Sequence, residues 1–128
     1  MNVDVEALLT GWLPTQLSST RAVTELPADL AGAVPLIRLV RLGGPDPVPG
    51  LDVASVDVEA FAATRAAARA LALQVQSVLR FKLPGHLVTA GSVARVRTIS
   101  GPAWRPYDNT NVRRFGALYE ITTHSRQS

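Results

Sequence analysis

Hydrophobic residues near the start of the chain recur at the three- and four-residue spacing of an α-helix. The positions on this face are Val5, Leu8, Leu9 and Trp12. They predict a first helix that ends near Pro14, with Asp4 and Glu6 early in it, where a helix N-terminus favours acids. Two β-prone runs follow at residues 21–26 and 36–42, each next to a proline, and both are predicted to be strands.

The middle of the chain predicts a loop, a strand and a long helix. Residues 43–50 are rich in glycine and proline, which indicates an exposed loop. From Asp52 onward apolar and polar residues alternate, as on a strand with one solvated face. Thr64 is placed to cap a helix over residues 65–82, which are mostly good helix formers. Its predicted core stripe consists of Ala68, Leu71, Val75 and Val78.

The last third of the chain predicts two more strands, at residues 92–100 and 114–123. On the second of them one face is formed by Phe115, Ala117, Tyr119 and Ile121. Residues 101–113 lie between the two strands and are long for a hairpin connection. Long ordered loops in compact domains usually serve a function or an interface, so this segment is a candidate site.

Together these elements predict an α+β fold in a single domain over residues 1–128. We expect a mainly antiparallel or mixed sheet of four to five strands, with the long helix and the N-terminal helix packed on one face. The segments on either side of the proline-rich loop are each too short to form a separate core. No domain boundary is therefore expected at that loop.

Composition narrows the function classes. The absence of cysteine excludes disulfides, thiolate metal sites and a cysteine nucleophile. The net charge is +3 and the basic residues are spread along the chain, which is a weak signal for nucleic-acid binding. The N-terminus lacks the pattern of a signal peptide, and no apolar run approaches the roughly 20 residues that span a bilayer. We expect a soluble protein with no membrane partner.

No arrangement of residues predicts catalysis or a cofactor. His86 and His124 are the two histidines, and neither is spaced with another metal ligand. Phosphate-binding and nucleophile motifs are absent. Asp57 and Glu59 could be imagined as the carboxylate pair of a glycosidase, but a solvated strand face is the favoured interpretation. We therefore expect no enzyme, no catalytic residue, no metal and no cofactor.

The segment 101–113 carries the residue types that anchor protein interfaces, because Trp, Tyr and Arg bury large areas and keep a polar group. The predicted interface residues are Trp104, Arg105, Tyr107, Asp108, Asn109, Asn111, Arg113 and Arg114. For Asp108, Asn109 and Asn111 a purely local turn role is equally open, since these side chains readily bond their own backbone.

Arginines outside this segment give a weaker signal for a protein interface. Arg95 and Arg97 are predicted to share a strand face with Val93 and Ile99. They either meet acceptors from another surface, as interface residues, or reach past the sheet into water. Three arginines on the outer side of the long helix are interpreted as a solubilising face: Arg65, Arg69 and Arg80.

Three stretches carry a resemblance to a known family. They are residues 35–44, ending in RLGG, residues 56–65, VDVEAFAATR, and residues 101–115, GPAWRPYDNTNVRRF. With the alanine-rich helix they cover most of the chain from Pro35 onward. In these stretches the chain resembles the tail terminator, or tail completion, proteins of long-tailed bacteriophages, and in particular those of siphophages that infect actinobacteria.

The resemblance implies a structural virion protein. Such proteins form a ring, usually of six subunits, that caps the tail tube, ends its polymerisation and joins the tail to the head completion proteins. The implied partners are other copies of the chain, the tail tube protein and a head completion or connector protein, with DNA only in transit through the ring. The implied location is the head–tail junction of the virion, after assembly in the host cytoplasm.

Two other function classes stay open. A small basic nucleic-acid-binding module would account for the excess of basic residues, but no recognition helix or RNA-binding aromatic pattern supports it. A hydrolase or lyase subunit with a site shared between subunits would account for the polar loops. The lack of cysteine and the scarcity of histidine count against that class.

Overall fold

The computed structural model describes residues 3–109 and 111–126, and its first element is a helix, α1, at Val5–Gln16. The Asp4 side chain caps this helix by accepting a hydrogen bond from the Ala7 N–H at 3.1 Å. That bond satisfies one of the free N–H groups of the first turn, which fixes where the helix begins. Pro14 lies inside the helix, which ends slightly later than predicted.

The strands form one mixed sheet. Their bounds are Arg21–Val23 (β1), Leu36–Gly43 (β2), Leu51–Ala62 (β3), Leu87–Val88 (β4), Gly91–Trp104 (β5) and Arg113–Ser125 (β6), and a second helix, α2, spans Arg65–Phe81. The strand order is β1-β2-β3-β6-β5-β4, with β1 and β2 parallel and the other neighbours antiparallel. The predicted α+β class is confirmed, and the sheet has one strand more than predicted. The extra strand, β4, is too short to produce an alternating pattern.

Both helices pack on the same face of the sheet, as predicted. α1 lies over β1 and β2, and α2 lies over β3, β6 and β5. The large side chains of this main core include Leu9, Trp12, Leu13, Ile37, Leu39, Val56, Leu71, Val75, Leu79, Tyr119 and Ile121. Each fully buried aliphatic side chain stabilises the fold by about 1.5–3 kcal/mol, so this face supplies most of the driving force for folding. No helix in the described part of the chain is long and apolar enough to cross a membrane.

The opposite face of the sheet carries no helix within the described residues. A smaller hydrophobic cluster covers only the end where β3 and β5 finish and β6 begins, which we call the loop end. Its buried members are Leu30, Leu36, Phe61 and Val112. The other end, where β2 turns into β3 and β6 finishes, is called the hairpin end. Apart from Glu59 and Gly116, the open face between the two ends is half-buried at best in the described residues, for example at Val53, Leu118 and Thr122.

Bulges in β5 change which residues face the helices. The register between β5 and β6 shifts after Val93, which pairs with Thr123, so that Arg95 pairs with Thr122 on the opposite face. A bulge adds one residue to one strand, and the two-residue alternation is lost at that point. The prediction that Arg95 and Arg97 share a face with Val93 is therefore wrong.

The proline-rich segment 43–50 forms the connection of the β2–β3 hairpin. At its base the Arg41 guanidinium donates two hydrogen bonds to the Asp52 carboxylate, at 2.6 and 2.9 Å. These bonds raise the pKa of Arg41 above its ordinary value and join the two strands at the base of the hairpin. Leu42 and Val48, near the tip, are 61% and 54% exposed.

Candidate interaction site

The predicted interface residues of segment 101–113 surround the loop end of the sheet. β5 continues to Trp104 and β6 begins at Arg113, so only residues 105–112 are a connection, which we call the β5–β6 loop. The loop is shorter than predicted because pairing with β6 resumes at Ala103 and Trp104 after a further register shift.

Arg105 ties the β5–β6 loop to the sheet. Its guanidinium donates hydrogen bonds to the two oxygens of Asp57 at 2.8 and 2.9 Å and reaches Glu59 at 3.4 Å. The two-point bond to Asp57 fixes the orientation of the guanidinium and is the main cause that raises the pKa of Arg105. Gly116 leaves room for this contact, because a Cβ there would collide with the guanidinium.

Glu59 is the centre of this charged cluster. It is 4% exposed, and three arginines reach its carboxylate: Arg38 at 3.2 Å, Arg105 at 3.4 Å and Arg114 at 3.2 Å. A buried carboxylate is costly unless its charge is compensated, so Glu59 depends on these neighbours. The favoured interpretation of Asp57 and Glu59 as a solvated strand face is therefore wrong, because β2, β6 and the loop place arginines around them.

Arg114 and Tyr107 hold the first half of the β5–β6 loop. The Arg114 guanidinium donates hydrogen bonds to the carbonyls of Arg105 at 3.4 Å and Pro106 at 2.8 Å. It also lies 4.9 Å from the centre of the Tyr107 ring, which packs edge-on against Phe61 at 5.4 Å. These contacts fix the loop backbone before it reaches its exposed tip.

Trp104 lies at the rim of the main core. Its half-buried ring packs against Phe115 with a centroid separation of 5.6 Å, and the guanidinium of Arg65 lies 4.5 Å from its ring centre. Part of the indole remains accessible. The prediction that Trp104 contacts a partner stays a prediction, and the structure adds a packing role beside it.

The tip of the β5–β6 loop is exposed at Asp108, Asn109 and Asn111, while Thr110 lies outside the described residues. The Asn109 side chain accepts a hydrogen bond from the Asn111 N–H at 3.0 Å. Asn109 therefore performs the local turn role that its residue type allows. Asp108 and Asn111 present exposed polar side chains on the same tip.

The other three predicted arginines are more scattered. Arg113 is half-buried and donates a hydrogen bond to the Val112 carbonyl at 3.1 Å. Arg97 forms an exposed ion pair with Glu120 at 3.2 Å, and Arg95 is exposed one row closer to the hairpin end. The structure thus gathers eight of the ten predicted residues at the loop end and leaves Arg95 and Arg97 on the open face.

The family model described as phage tail termination protein matches residues 2–128. The chain belongs to the phage tail termination protein family. Membership gives it a structural role in the phage tail rather than an enzymatic one, and a place in the virion. A comparison with curated proteins finds no match. Within the described residues no group of three or more His, Cys, Asp and Glu side chains could hold a metal ion.

The sequence of this tail termination protein did not predict the sheet residues that hold Arg105 in place. Asp57, Glu59 and Gly116 are the sheet positions on which Arg105 rests. The sequence signal for these charged contacts was a pair of acids at alternate positions of one strand, in a chain that carries arginines on several other segments. Their pairing depends on strand order and register, which the sequence pattern does not provide.

The hairpin end of the tail termination protein differs in chemistry from the loop end. It exposes large apolar side chains at Leu42, Val48 and Leu87, beside the exposed polar side chains of His124 and Arg126. A shallow open pocket there is lined by Leu87, Gly91, Ser92, His124, Ser125 and Arg126. The two ends of the sheet therefore offer two different surfaces to other molecules.

Proposed function

We propose that this tail termination protein forms a ring of six subunits that caps the tail tube, ends tube polymerisation and joins the tail to the head completion proteins. In this proposal the ring lies at the head–tail junction of a siphophage of actinobacteria and is assembled in the host cytoplasm. Genomic DNA passes through its opening. The observation that carries the proposal is the family match over residues 2–128.

The physical requirement on such a cap is asymmetry. Tube subunits add head to tail through a heterologous contact that does not close along the tube axis, so growth continues until another protein occupies the end. The cap must bind that end better than the next tube subunit does. On the side that faces away from the tube, the cap must also lack a surface to which a further tube subunit could add.

The fold supports this asymmetry through the difference between the two ends of its sheet. The loop end carries a polar tip that is braced by the charged cluster around Glu59. The hairpin end exposes apolar side chains at Leu42, Val48 and Leu87. A subunit with unlike ends can bind the tube with one end and present a different surface with the other.

Within this proposal the ten predicted interface residues divide by task. Asp108, Asn109 and Asn111 lie on the exposed tip and are proposed to touch a partner directly. The residues that brace the tip, with accessible parts that join the contact, are proposed to be Trp104, Arg105, Tyr107, Arg113 and Arg114. Arg95 and Arg97 are proposed to contact a neighbouring subunit from the open face of the sheet.

The proposal is tested by adding the purified chain to tube protein that is polymerising in vitro. Tubes should stop elongating once the chain is present, and electron micrographs should show a ring-shaped density at one end only. A double variant at the tip, Asp108→Ala with Asn111→Ala, should fold normally and cap less efficiently. Continued elongation in the presence of excess wild-type chain would contradict the proposal, and retention on duplex DNA without an effect on tubes would favour a nucleic-acid-binding module.

A further inference from the structure

Charged residues are segregated along the chain and, in the fold, across the width of the sheet. Residues 60–107 contain no aspartate or glutamate, and they form α2, β4 and β5. Their basic residues are Arg65, Arg69, Arg80, Lys82, Arg95, Arg97 and Arg105. Because β5 and β4 lie at one edge of the sheet and α2 packs over β5 and the strands next to it, basic residues predominate on one side of the molecule, where Glu120 of β6 is the partner of Arg97. We call this side the basic flank.

Most of these cations have no acidic partner within the described residues of the subunit. Arg97 and Arg105 have acidic partners, whereas Arg65 and Arg80 lie over aromatic rings and no acidic partner of Arg69 occurs among the described residues. The basic flank also exposes large apolar side chains. They are Leu73 at 39%, Phe81 at 72% and Ile99 at 44%. Exposed apolar area with unpaired charge of one sign is typical of an interaction surface.

The sheet edge on the basic flank is open over most of its length. β4 pairs only with Gly91 and Ser92, so the rest of β5 has no strand on its outer side within the described residues. An unpaired edge presents free backbone N–H and C=O groups. The bulges in β5 prevent a continuous ladder with a neighbour but leave its side chains accessible.

The opposite side of the molecule has the opposite charge. Residues 3–35 form α1, β1 and the segment between β1 and β2, and their charged residues are Asp4, Glu6, Glu25, Asp29 and Arg21. Asp4, Glu25 and Asp29 are exposed, and none of them has a basic partner among the described residues. We call this side the acidic flank. Beyond the short strand β1, the Glu6 carboxylate accepts the Arg41 backbone N–H of β2 at 2.9 Å and so satisfies one backbone group on this side of the sheet.

We propose that the basic flank of one subunit binds the acidic flank of a second copy of this chain. The two flanks are complementary in charge, belong to the same sequence and lie at opposite edges of one sheet, so the contact is heterologous. Heterologous contacts repeat from copy to copy and close into a ring when the rotation permits. The contact thus deepens the proposed function, on which it rests, by naming the side-to-side interface of the ring.

The test uses charge reversals at Arg69 and Glu25, since both side chains are exposed and have no bond in the described structure that would be lost. Ring assembly is followed by sedimentation velocity across a concentration series, with tube ends present. Arg69→Glu and Glu25→Lys should each raise the concentration for half-assembly by about fivefold or more, because each replaces attraction with repulsion at every ring contact. The two changes together should recover part of the loss, and higher salt should weaken wild-type assembly.

The matched control is Arg21→Glu, which makes the same charge change as Arg69→Glu but on the acidic flank. It should leave assembly unchanged or strengthen it, whereas an effect of net charge alone would weaken it equally and overturn the inference. Rings that form at the wild-type concentration in both Arg69→Glu and Glu25→Lys would also overturn it while the proposed function stands. A wild-type chain that stays monomeric even with tube ends would instead refute both proposals.

Discussion

Replacing Arg105 with alanine should release the β5–β6 loop from the sheet and destabilise the fold. The substitution removes two hydrogen bonds to Asp57, at 2.8 and 2.9 Å, and the contact to Glu59 at 3.4 Å. Glu59 keeps Arg38 and Arg114 as partners. Asp57 loses its ionic partner, but its side chain is 18% exposed and can be partly rehydrated.

The expected magnitude follows from the burial of these groups. Hydrogen bonds to charged groups contribute about 1.5–3 kcal/mol in mutational series, and exposed ion pairs about 0.2–1 kcal/mol. The Arg105 side chain is 33% exposed, which places its pair with Asp57 between these classes. We expect Arg105→Ala to lower the free energy of unfolding by about 2 kcal/mol, or the melting temperature by about 6–10 °C in a domain of this size.

Urea and thermal unfolding, followed by circular dichroism, measure this loss. The control is Arg97→Ala, which removes an ion pair whose two side chains are 53% and 26% exposed and should cost at most about 0.5 kcal/mol. Arg105→Lys should recover less than half of the loss, because an ammonium cannot make the two-point bond. If Arg105→Ala and Arg97→Ala lower stability equally, the charged cluster does not brace the loop and the reasoning is refuted.

Three further substitutions test other parts of the structure. Gly116→Ala should cost about 1–3 kcal/mol in urea unfolding because the new Cβ displaces the Arg105 guanidinium, and it should cost little in an Arg105→Ala background. Trp104→Ala should cost about 2–3 kcal/mol in the same assay because its half-buried ring packs on Phe115, and a loss near zero would contradict that packing role. Burial raises the pKa of Tyr119, so its contribution to stability is complete below the ordinary tyrosine value near 10 and is lost as pH rises above it. Tyr119→Phe should therefore reduce the loss of stability at alkaline pH, as measured by melting curves from pH 8 to 11. At neutral pH it should not destabilise the fold, because the buried hydroxyl has no hydrogen-bond partner in the described structure.

The helices and strands with a regular pattern were predictable from the sequence. The stripe of α2 from Ala68 to Val78 and its cap at Thr64 follow from the helical repeat and from capping chemistry, both of which are local. Tyr119 and its neighbours on β6 likewise alternate without interruption. Local rules were sufficient where one element kept one register along its whole length.

The failures have non-local causes. The bulge after Val93 moves Arg95 to the other face of β5, and no residue type at that point signals an added residue. Glu59 looks solvated in the sequence because its three arginines come from separate segments that only the strand order brings together. The six-strand order itself depends on pairings between distant parts of the chain.

The distribution of charge was only partly predictable from the sequence. The basic residues were interpreted as spread along the chain, which made them a weak signal for nucleic-acid binding. The absence of acids from residues 60–107 was nevertheless visible in the sequence. Its meaning became apparent only when the fold placed α2, β4 and β5 on one side and α1 and β1 on the other. Segregation along a chain becomes segregation in space when neighbouring elements lie side by side.

Tail length in phage lysates tests the central claim most directly. The gene for this chain is deleted from the phage, and negative-stain electron micrographs are used to measure the length of every tube and its attachment to heads. Termination by this chain predicts DNA-filled heads without tails and unattached tubes of variable, excessive length, with both defects reversed when the wild-type chain is supplied in trans. Head-attached tails of normal, uniform length in the deletion lysate would contradict the claim.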